Sequence, residues 1–301
     1  MRQNTAHTYK QLALIGCGLM GGSFALALRE AGLVKHVVGF SRPVDGAYRF
    51  LETGVIDYVA SSVQAAVADA DLVMVAVPVA SMPGVLAELA LALCDGALLM
   101  DVSSTKRSVV QAATQLLGRH LPNFVPAHPI AGKERAGPGE PYAALYRQRQ
   151  IILTPLEATL PGQLARAQEL WTAIGACPKT LSPAAHDRGL AAVSHLPHLL
   201  AFAYMTGLLD QADAPDLLAL GGPGFRDFSR IAGCDATVWR DILRDNRDQT
   251  LEQLAAFRQA LAQFEQAIEA DEPQTLAGLL QRASAARAAW PAQIEFNEVQ
   301  T

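Results

Sequence analysis

The sequence predicts a two-domain α/β protein, with an N-terminal doubly wound parallel sheet over residues 1–181 and an all-helical domain over 182–301. Three observations carry this. The first 180 residues alternate short β-rich runs with helical stretches, the pattern of strand–helix–strand units. Two of the runs, 72–77 (LVMVAV) and 97–102 (ALLMDV), are apolar, the second but for Asp101, as strands buried on both faces are. After Leu181 the β-branched runs stop, and Ala, Leu, Gln and Arg dominate.

Taken in order, residues 11–15 read as the first strand, followed by a glycine-rich turn and a helix from about Met20 to Ala31. Residues 37–40 are the second strand. Then come 72–77, 97–102 and a short run at 124–127, while strands at 151–154 and 177–181 flank a helix at about 161–174. Right-handed crossovers put the strand C-termini on one edge of the sheet, where a site is expected. Ser182-Pro183 opens a helical run to about Asp210, and further helices follow at about 235–270 and 273–288. A helical segment this long and Ala/Leu-rich completes its core against a second copy, so a homodimer is expected.

Composition narrows the function classes. Half of the 301 residues are apolar, enough for real cores, which excludes general disorder. The net charge of -5 and a pI near 5.8 disfavour a nucleic-acid binder, whose surface would be basic. An anionic substrate then needs local cations, and beyond Lys179 every Lys/Arg position is Arg. The four cysteines, Cys17, Cys94, Cys177 and Cys234, form no CxxC pair, so neither a zinc ribbon nor a thioredoxin-type site is expected. Reduced, scattered thiols suit a cytoplasmic setting. The polar N-terminus lacks a signal peptide's apolar run. The most apolar region, 72–100, is broken by Pro78, Pro83, Gly84, Glu88 and Asp95, so no membrane span is expected there.

The turn Gly16-Cys17-Gly18-Leu19-Met20-Gly21 lies between a strand and a helix, the context that a dinucleotide-binding fingerprint of Rossmann type requires. Gly16 permits the tight turn, Gly18 lets backbone approach a pyrophosphate, and Gly21 allows close packing of helix on strand. The helix N-terminus, at Leu19 and Met20, then offers free N–H groups to the phosphates. An NAD-selective site carries Asp or Glu at the end of the second strand. Here that place reads Gly39-Phe40-Ser41-Arg42, with no carboxylate. Ser41 and Arg42 can bind a 2′-phosphate, Arg by charge and stacking, which favours NADP while leaving NAD possible.

Three further segments combine polar groups with sheet edges or helix starts. Residues 101–106 (DVSSTK) follow a buried strand, and their hydroxyls would face the cofactor, cap the next helix, or divide the two tasks between them. Residues 126–134 (PAHPIAGKE) place His128 between prolines just past a strand end, where a near-neutral imidazole can accept a proton from a hydroxyl being oxidised. Residues 194–198 (SHLPH) place His195 and His198 three apart on one helix face; with no Glu or Cys partner placed nearby, substrate contact is favoured over metal. Finally, 221–232 (GGPGFRDFSRIA) leads into a helix with two arginines, of which Arg230 is the better candidate to hold a carboxylate.

In this order, GCGLMGGS (16–23), DVSSTK, HPIAGKE (128–134), SHLPH and GGPGFRDFSRIA make the chain similar to the prephenate/arogenate (cyclohexadienyl) dehydrogenase family of tyrosine biosynthesis, over about residues 11 to 240. The resemblance implies a Rossmann domain joined to a helical dimerisation domain, and oxidative decarboxylation of prephenate or arogenate with hydride transfer to a nicotinamide cofactor. It assigns His128 to the C4 hydroxyl of the substrate ring, Ser104 to orienting that hydroxyl, and Arg230 to the carboxylate. His195, His198 and Glu134 match positions lining the family's pocket, and Trp239 is expected to cover it. No attached chorismate mutase or regulatory domain is expected.

Three other readings compete. The β-hydroxyacid dehydrogenases resemble the chain in outline but rely on a catalytic Lys in the helical domain, and there is no Lys after 179. A pyrroline-5-carboxylate reductase fits the architecture but leaves HPIAGKE and SHLPH unexplained. A non-catalytic NADP sensor would need the glycine turn but no converging His, Ser and Arg.

Overall fold

The computed structural model describes residues 7–131 and 140–290. Its first part alternates strands and helices: β1 (Tyr9–Ile15), α1 (Leu19–Glu30), β2 (Val34–Phe40), α2 (Asp45–Glu52), β3 (Tyr58–Val59), α3 (Val63–Val67), β4 (Leu72–Val75), α4 (Met82–Leu89), β5 (Leu98–Asp101), α5 (Arg107–Leu116) and β6 (Phe124–Val125). The six strands form one sheet in the order β3-β2-β1-β4-β5-β6, and every neighbouring pair is parallel. Strand order reverses between β1 and β4, which opens a crevice beyond their C-terminal ends.

Alternate residues of each strand feed opposite layers, as the two-residue period requires. Leu12, Leu14, Leu72, Met74, Leu98 and Met100 face one core with Phe24 and Leu28 of α1. Ala13, Ile15, Val73, Val75 and Leu99 face the other, against Leu86 and Leu89 of α4 and Val109 of α5. With both faces covered, the central strand β4 (LVMV) reads as an unbroken apolar run.

The sheet ends earlier than the sequence suggests. The expected strand at 124–127 breaks at Pro126, which lacks the N–H that a continuing ladder needs. The chain leaves β6 and starts β7 (Ala127–Pro129), which pairs antiparallel with β8 (Gln150–Leu153); after α6 (Pro161–Ala173), β9 (Cys177–Thr180) joins β8 in parallel. The later strands thus form a separate three-stranded mixed sheet, β7-β8-β9, rather than extending the parallel one. The Pro126 carbonyl turns to accept from Thr154 N at 2.8 Å.

The helical part comprises α7 (Pro183–Leu190), a π-helical turn (Ala191–His195), α8 (Leu196–Leu209), α9 (Ala214–Ala219), α10 (Pro223–Ser229), a 3-10 turn (Arg230–Gly233), α11 (Ala236–Asp245), α12 (Arg247–Glu269) and α13 (Pro273–Ala289). Ser182 caps α7 by accepting from Ala185 N, with Pro183 in its first turn, and Asp235 caps α11 by accepting from Thr237 N and Val238 N. Contacts divide the chain into two compact units, Met1–Thr250 and Leu251–Thr301, the division falling within α12.

Residues 183–209 form a helical run long and apolar enough to cross a membrane by length and composition. Its polar members His186, Asp187 and His195 are nevertheless buried in the first unit. Of its apolar members, Leu190, Ala191 and Ala201 are buried, while Val193, Tyr204 and Leu209 are exposed.

Candidate active site

The turn after β1 builds a cradle. Gly16 has φ +103°, and a Cβ there would lie 2.3 Å from the Ala76 carbonyl oxygen. A Cβ on Gly21 would lie 2.6 Å from the Gly16 carbonyl oxygen, so both glycines are needed for close packing. Gly18 differs: a Cβ would meet nothing within 4 Å. Gly18 is the N-cap of α1, with no side-chain cap and no acidic residue in the first turn. The first amides of α1, beginning at Leu19 and Met20, therefore have no capping side chain and lie at the helix dipole's positive end. This arrangement fits a pyrophosphate. The Cys17 thiol is pushed up to about 12 by burial, against a hydrogen bond with Ser41, so it stays protonated and inert.

At the ends of β2 and β3 lies a cavity of about 480 Å³, lined in part by Phe40, Ser41, Arg42, Tyr48 and Tyr58. Ser41 Oγ donates to the Pro43 carbonyl at 2.7 Å. The Arg42 guanidinium lies over the Phe40 ring, 5.2 Å from its centroid, and reaches Glu88 of α4.

His128 lies within β7, opposite Ile152 of β8, not in a loop past a strand as the sequence suggested. The residue before it is held at both ends: Ala127 N donates to Asp101 Oδ1 at 3.0 Å, and the Ala127 carbonyl accepts from Lys106 Nζ at 2.6 Å. Lys106 is fully buried and pairs with Asp101 Oδ2 at 2.7 Å. Burial lowers the Lys106 pKa, and Asp101 opposes that. This pair anchors the end of β5 to the start of β7.

Behind His128 runs a chain of hydrogen bonds that the sequence did not reveal. His128 Nδ1 lies 2.8 Å from His186 Nε2, and His186 Nδ1 lies 2.8 Å from Asp187 Oδ1. A carboxylate only accepts, so His186 carries its proton on Nδ1 and its Nε2 accepts from His128 Nδ1–H. That tautomer leaves the His128 Nε2 lone pair available as a base. Burial first, then the charges of His186, Lys106 and His195, hold the His128 pKa well below its usual value. The ring is therefore neutral at physiological pH. For Asp187, burial raises the pKa, but hydrogen bonds from the His186 ring and from the Arg107 and Lys106 amides outweigh it and keep the group ionised.

Asp187 also performs the capping that the sequence offered to the serines of DVSSTK. Lys106 N and Arg107 N, at the start of α5, donate to its two carboxylate oxygens at 2.9 and 2.8 Å. No side chain of the DVSSTK segment caps α5. Ser104 is half-buried in this segment, between Ser103 and Thr105, whose buried hydroxyls have no hydrogen-bond partner among the described residues.

The helical side adds a second group. A π-helical turn, a feature frequent at functional sites, ends at His195. Asn246 Nδ2 donates to the Asp187 carbonyl at 2.7 Å and sits 3.1 Å from His195 Nδ1. Burial first lowers the His195 pKa to about 4. Trp239 of α11 stacks on His198 at 3.6 Å and meets His195 edge-on at 6.2 Å. His198 Nδ1 donates to the Ser194 carbonyl at 2.9 Å, leaving its Nε2 as an acceptor.

The structure thus links His128, His186, Asp187, Asn246, His195, Trp239 and His198 through successive contacts. Arg230 opens the exposed 3-10 turn that packs against α8. Glu134 lies outside the described residues. Among the described residues no cluster of His, Cys, Asp and Glu is placed to hold a metal. The members missed from sequence, His186, Asp187 and Asn246, carried no linear signal, since 58 residues separate His128 from His186; Asp101 and Lys106 lie within DVSSTK, but their buried pairing is not legible from it.

A Rossmann sheet, a glycine cradle at a helix N-terminus and a neutral, backed imidazole define a nicotinamide-dependent oxidoreductase. Residues 24–178 match the nucleotide-binding domain of prephenate dehydrogenase, and 182–282 match its dimerization domain. The chain is 34% identical to a cyclohexadienyl dehydrogenase of Zymomonas mobilis over 86% of this chain and 89% of that one. It is 32% identical to a prephenate dehydrogenase of Bacillus subtilis over 88% and 72%. Among solved structures, prephenate dehydrogenase of Aquifex aeolicus in complex with hydroxyphenyl propionate and NAD+ superposes with a TM-score of 0.87 at 30% identity, over 93% of this chain and 97% of that one. An arogenate dehydrogenase of Synechocystis superposes with a TM-score of 0.80 at 27% identity, covering 93% and 100%. The chain belongs to the prephenate dehydrogenase family.

Proposed function

We propose that this enzyme oxidatively decarboxylates prephenate or arogenate in tyrosine biosynthesis, with His128 as the base. The observation that carries this reading is the hydrogen-bond chain from Asp187 through His186, which fixes a neutral His128 with its Nε2 lone pair available. His128 Nε2 accepts the proton of the C4 hydroxyl, and Ser104 orients that hydroxyl. When bound, the nicotinamide ring supplies the acceptor for the hydride that leaves C4. As the C1–carboxylate bond breaks, its electron pair enters the substrate ring, which becomes aromatic while carbon dioxide departs. Aromatisation provides much of the driving force, so the protein chiefly positions the ring and takes the proton.

Arg230 holds a substrate carboxylate; His195, His198 and Glu134 line the pocket, and Trp239 covers it. Gly16, Gly18, Leu19, Met20 and Gly21 hold the pyrophosphate, while Ser41 and Arg42 favour NADP over NAD. Residues 1–181 form the dinucleotide-binding domain and 182–301 the substrate and dimerisation domain. The open apolar residues of α8, Tyr204 and Leu209, with nearby Phe228, support a homodimer in which a second copy covers them. The protein acts in the cytoplasm.

The test is a purified-protein assay with both substrates and both cofactors, following absorbance of the reduced nicotinamide. His128→Asn is expected to keep cofactor binding and lose about 100-fold or more in kcat. Turnover undiminished in that variant refutes the assignment of the base.

A further inference from the structure

Arg42 is the cation placed where a dinucleotide's adenosine ribose is read, yet its guanidinium already has a partner. Arg42 Nη2 donates to both carboxylate oxygens of Glu88, at 2.9 and 2.8 Å. Glu88 comes from the far end of α4, 46 residues away, and belongs to no motif. The two side chains differ in exposure, 62% for Arg42 and 26% for Glu88, so the carboxylate is the better-anchored member and the guanidinium the accessible one. Arg42 is also stacked over Phe40 and lines the cavity at the end of β2.

We infer that Glu88 sets the cofactor selectivity of this site: its carboxylate takes the Nη2 donors of the Arg42 guanidinium, leaves a negative charge beside it, and so weakens NADP binding relative to NAD. The inference rests on the reading above, in which Arg42 faces the 2′ position of the adenosine ribose. A 2′-phosphate is strongly anionic. To hold it, Arg42 must leave Glu88, or bridge two anions that then repel each other at close range. NAD meets neither cost, because its 2′-hydroxyl is neutral. Discrimination is a difference between two affinities, and a repulsive group shapes it as much as an attractive one. The chain therefore carries both, an arginine for the phosphate on β2's turn and a carboxylate against it on α4. By this pairing a turn that lacks the carboxylate of NAD-selective sites would accept NAD as well.

Glu88 sits at the surface, where an ion pair adds little to folding, so its removal should leave the fold intact. The test is isothermal titration of the full-length protein with NADP+ and NAD+ separately, comparing wild type, Glu88→Gln and Arg42→Gln, with thermal midpoints as the check on folding. Glu88→Gln is expected to tighten NADP+ by about three- to tenfold at low salt, less at high salt, and to change NAD+ by less than about twofold. Arg42→Gln is expected to weaken NADP+ selectively. If Arg42→Gln weakens NADP+ but Glu88→Gln changes neither cofactor, or both equally, the role of Glu88 is overturned and that of Arg42 survives. If Arg42→Gln leaves NADP+ affinity unchanged, the 2′-phosphate reading falls, and the inference with it.

Discussion

Asp187→Asn is the perturbation that best separates the proposed proton path from a structural role. The native carboxylate accepts three hydrogen bonds: Oδ1 from His186 Nδ1 and Lys106 N, Oδ2 from Arg107 N. Asparagine has one oxygen and one amide nitrogen, so it cannot reproduce this set. With its oxygen toward His186, the amide N–H₂ opposes the Arg107 N–H and the α5 cap is lost. With its oxygen toward Arg107, the N–H₂ opposes the Lys106 amide and donates to His186 Nδ1. That reverses the His186 tautomer, puts a proton on its Nε2, and in turn moves the His128 proton to Nε2, abolishing the base. Either orientation leaves a buried donor unmet, at a cost of about 1–3 kcal/mol in stability. The second also removes general-base catalysis, worth about 10²–10⁴-fold. Expected, then, are a Tm lowered by several degrees and a cofactor Kd near wild type in either orientation, and in the second a kcat lowered about 100-fold or more, measured by absorbance of the reduced nicotinamide across the pH range around neutrality. A lowered Tm with kcat unchanged in Asp187→Asn marks the first orientation; the same result in Asp187→Ala, which offers His186 Nδ1 no acceptor in any orientation, would refute the argument and reduce Asp187 to the cap of α5.

Other measurements probe separate parts of the site. Arg230→Gln should raise KM for a ring-carboxylate substrate by about 2 kcal/mol, roughly 30-fold; a KM near wild type removes its assigned role. Gly16→Ala should cost several kcal/mol because of its positive φ and the 2.3 Å approach to Ala76. Gly18→Ala, with open space at its Cβ, should keep Tm while weakening the cofactor about tenfold; equal effects on Tm would contradict the division between packing and binding glycines. Stability should also fall with acid. The folded His195 pKa of about 4 lies below the unfolded value of 6.5, so the unfolded chain binds more protons between them. Its contribution is fully present above pH 6.5 and is lost as pH falls toward 4, on the order of 3 kcal/mol, with His128 acting in the same direction. Thermal melts across that window check this, and His195→Gln should flatten the slope.

The parallel sheet, the glycine cradle and the helical second half were legible in sequence because each rests on local preference. Apolar periodicity sets β4 and β5, a positive φ selects Gly16, and Ser182-Pro183 starts α7. His128 was legible through its motif, although its setting was not: the break at Pro126 carried it into a second sheet. Local preference says nothing about which polar side chains meet when elements pack. His186 and Asp187 sit just past the start of α7 with no unusual spacing, and become a proton path only because that helix docks on α5 and β7. Glu88 is likewise an unremarked helix residue until α4 brings it to Arg42. Sequence alone determined the elements and the cofactor cradle. Tertiary packing decided the tautomer of His128 and the partner of Arg42, because a hydrogen bond or ion pair between distant residues depends on distances that neither segment encodes by itself.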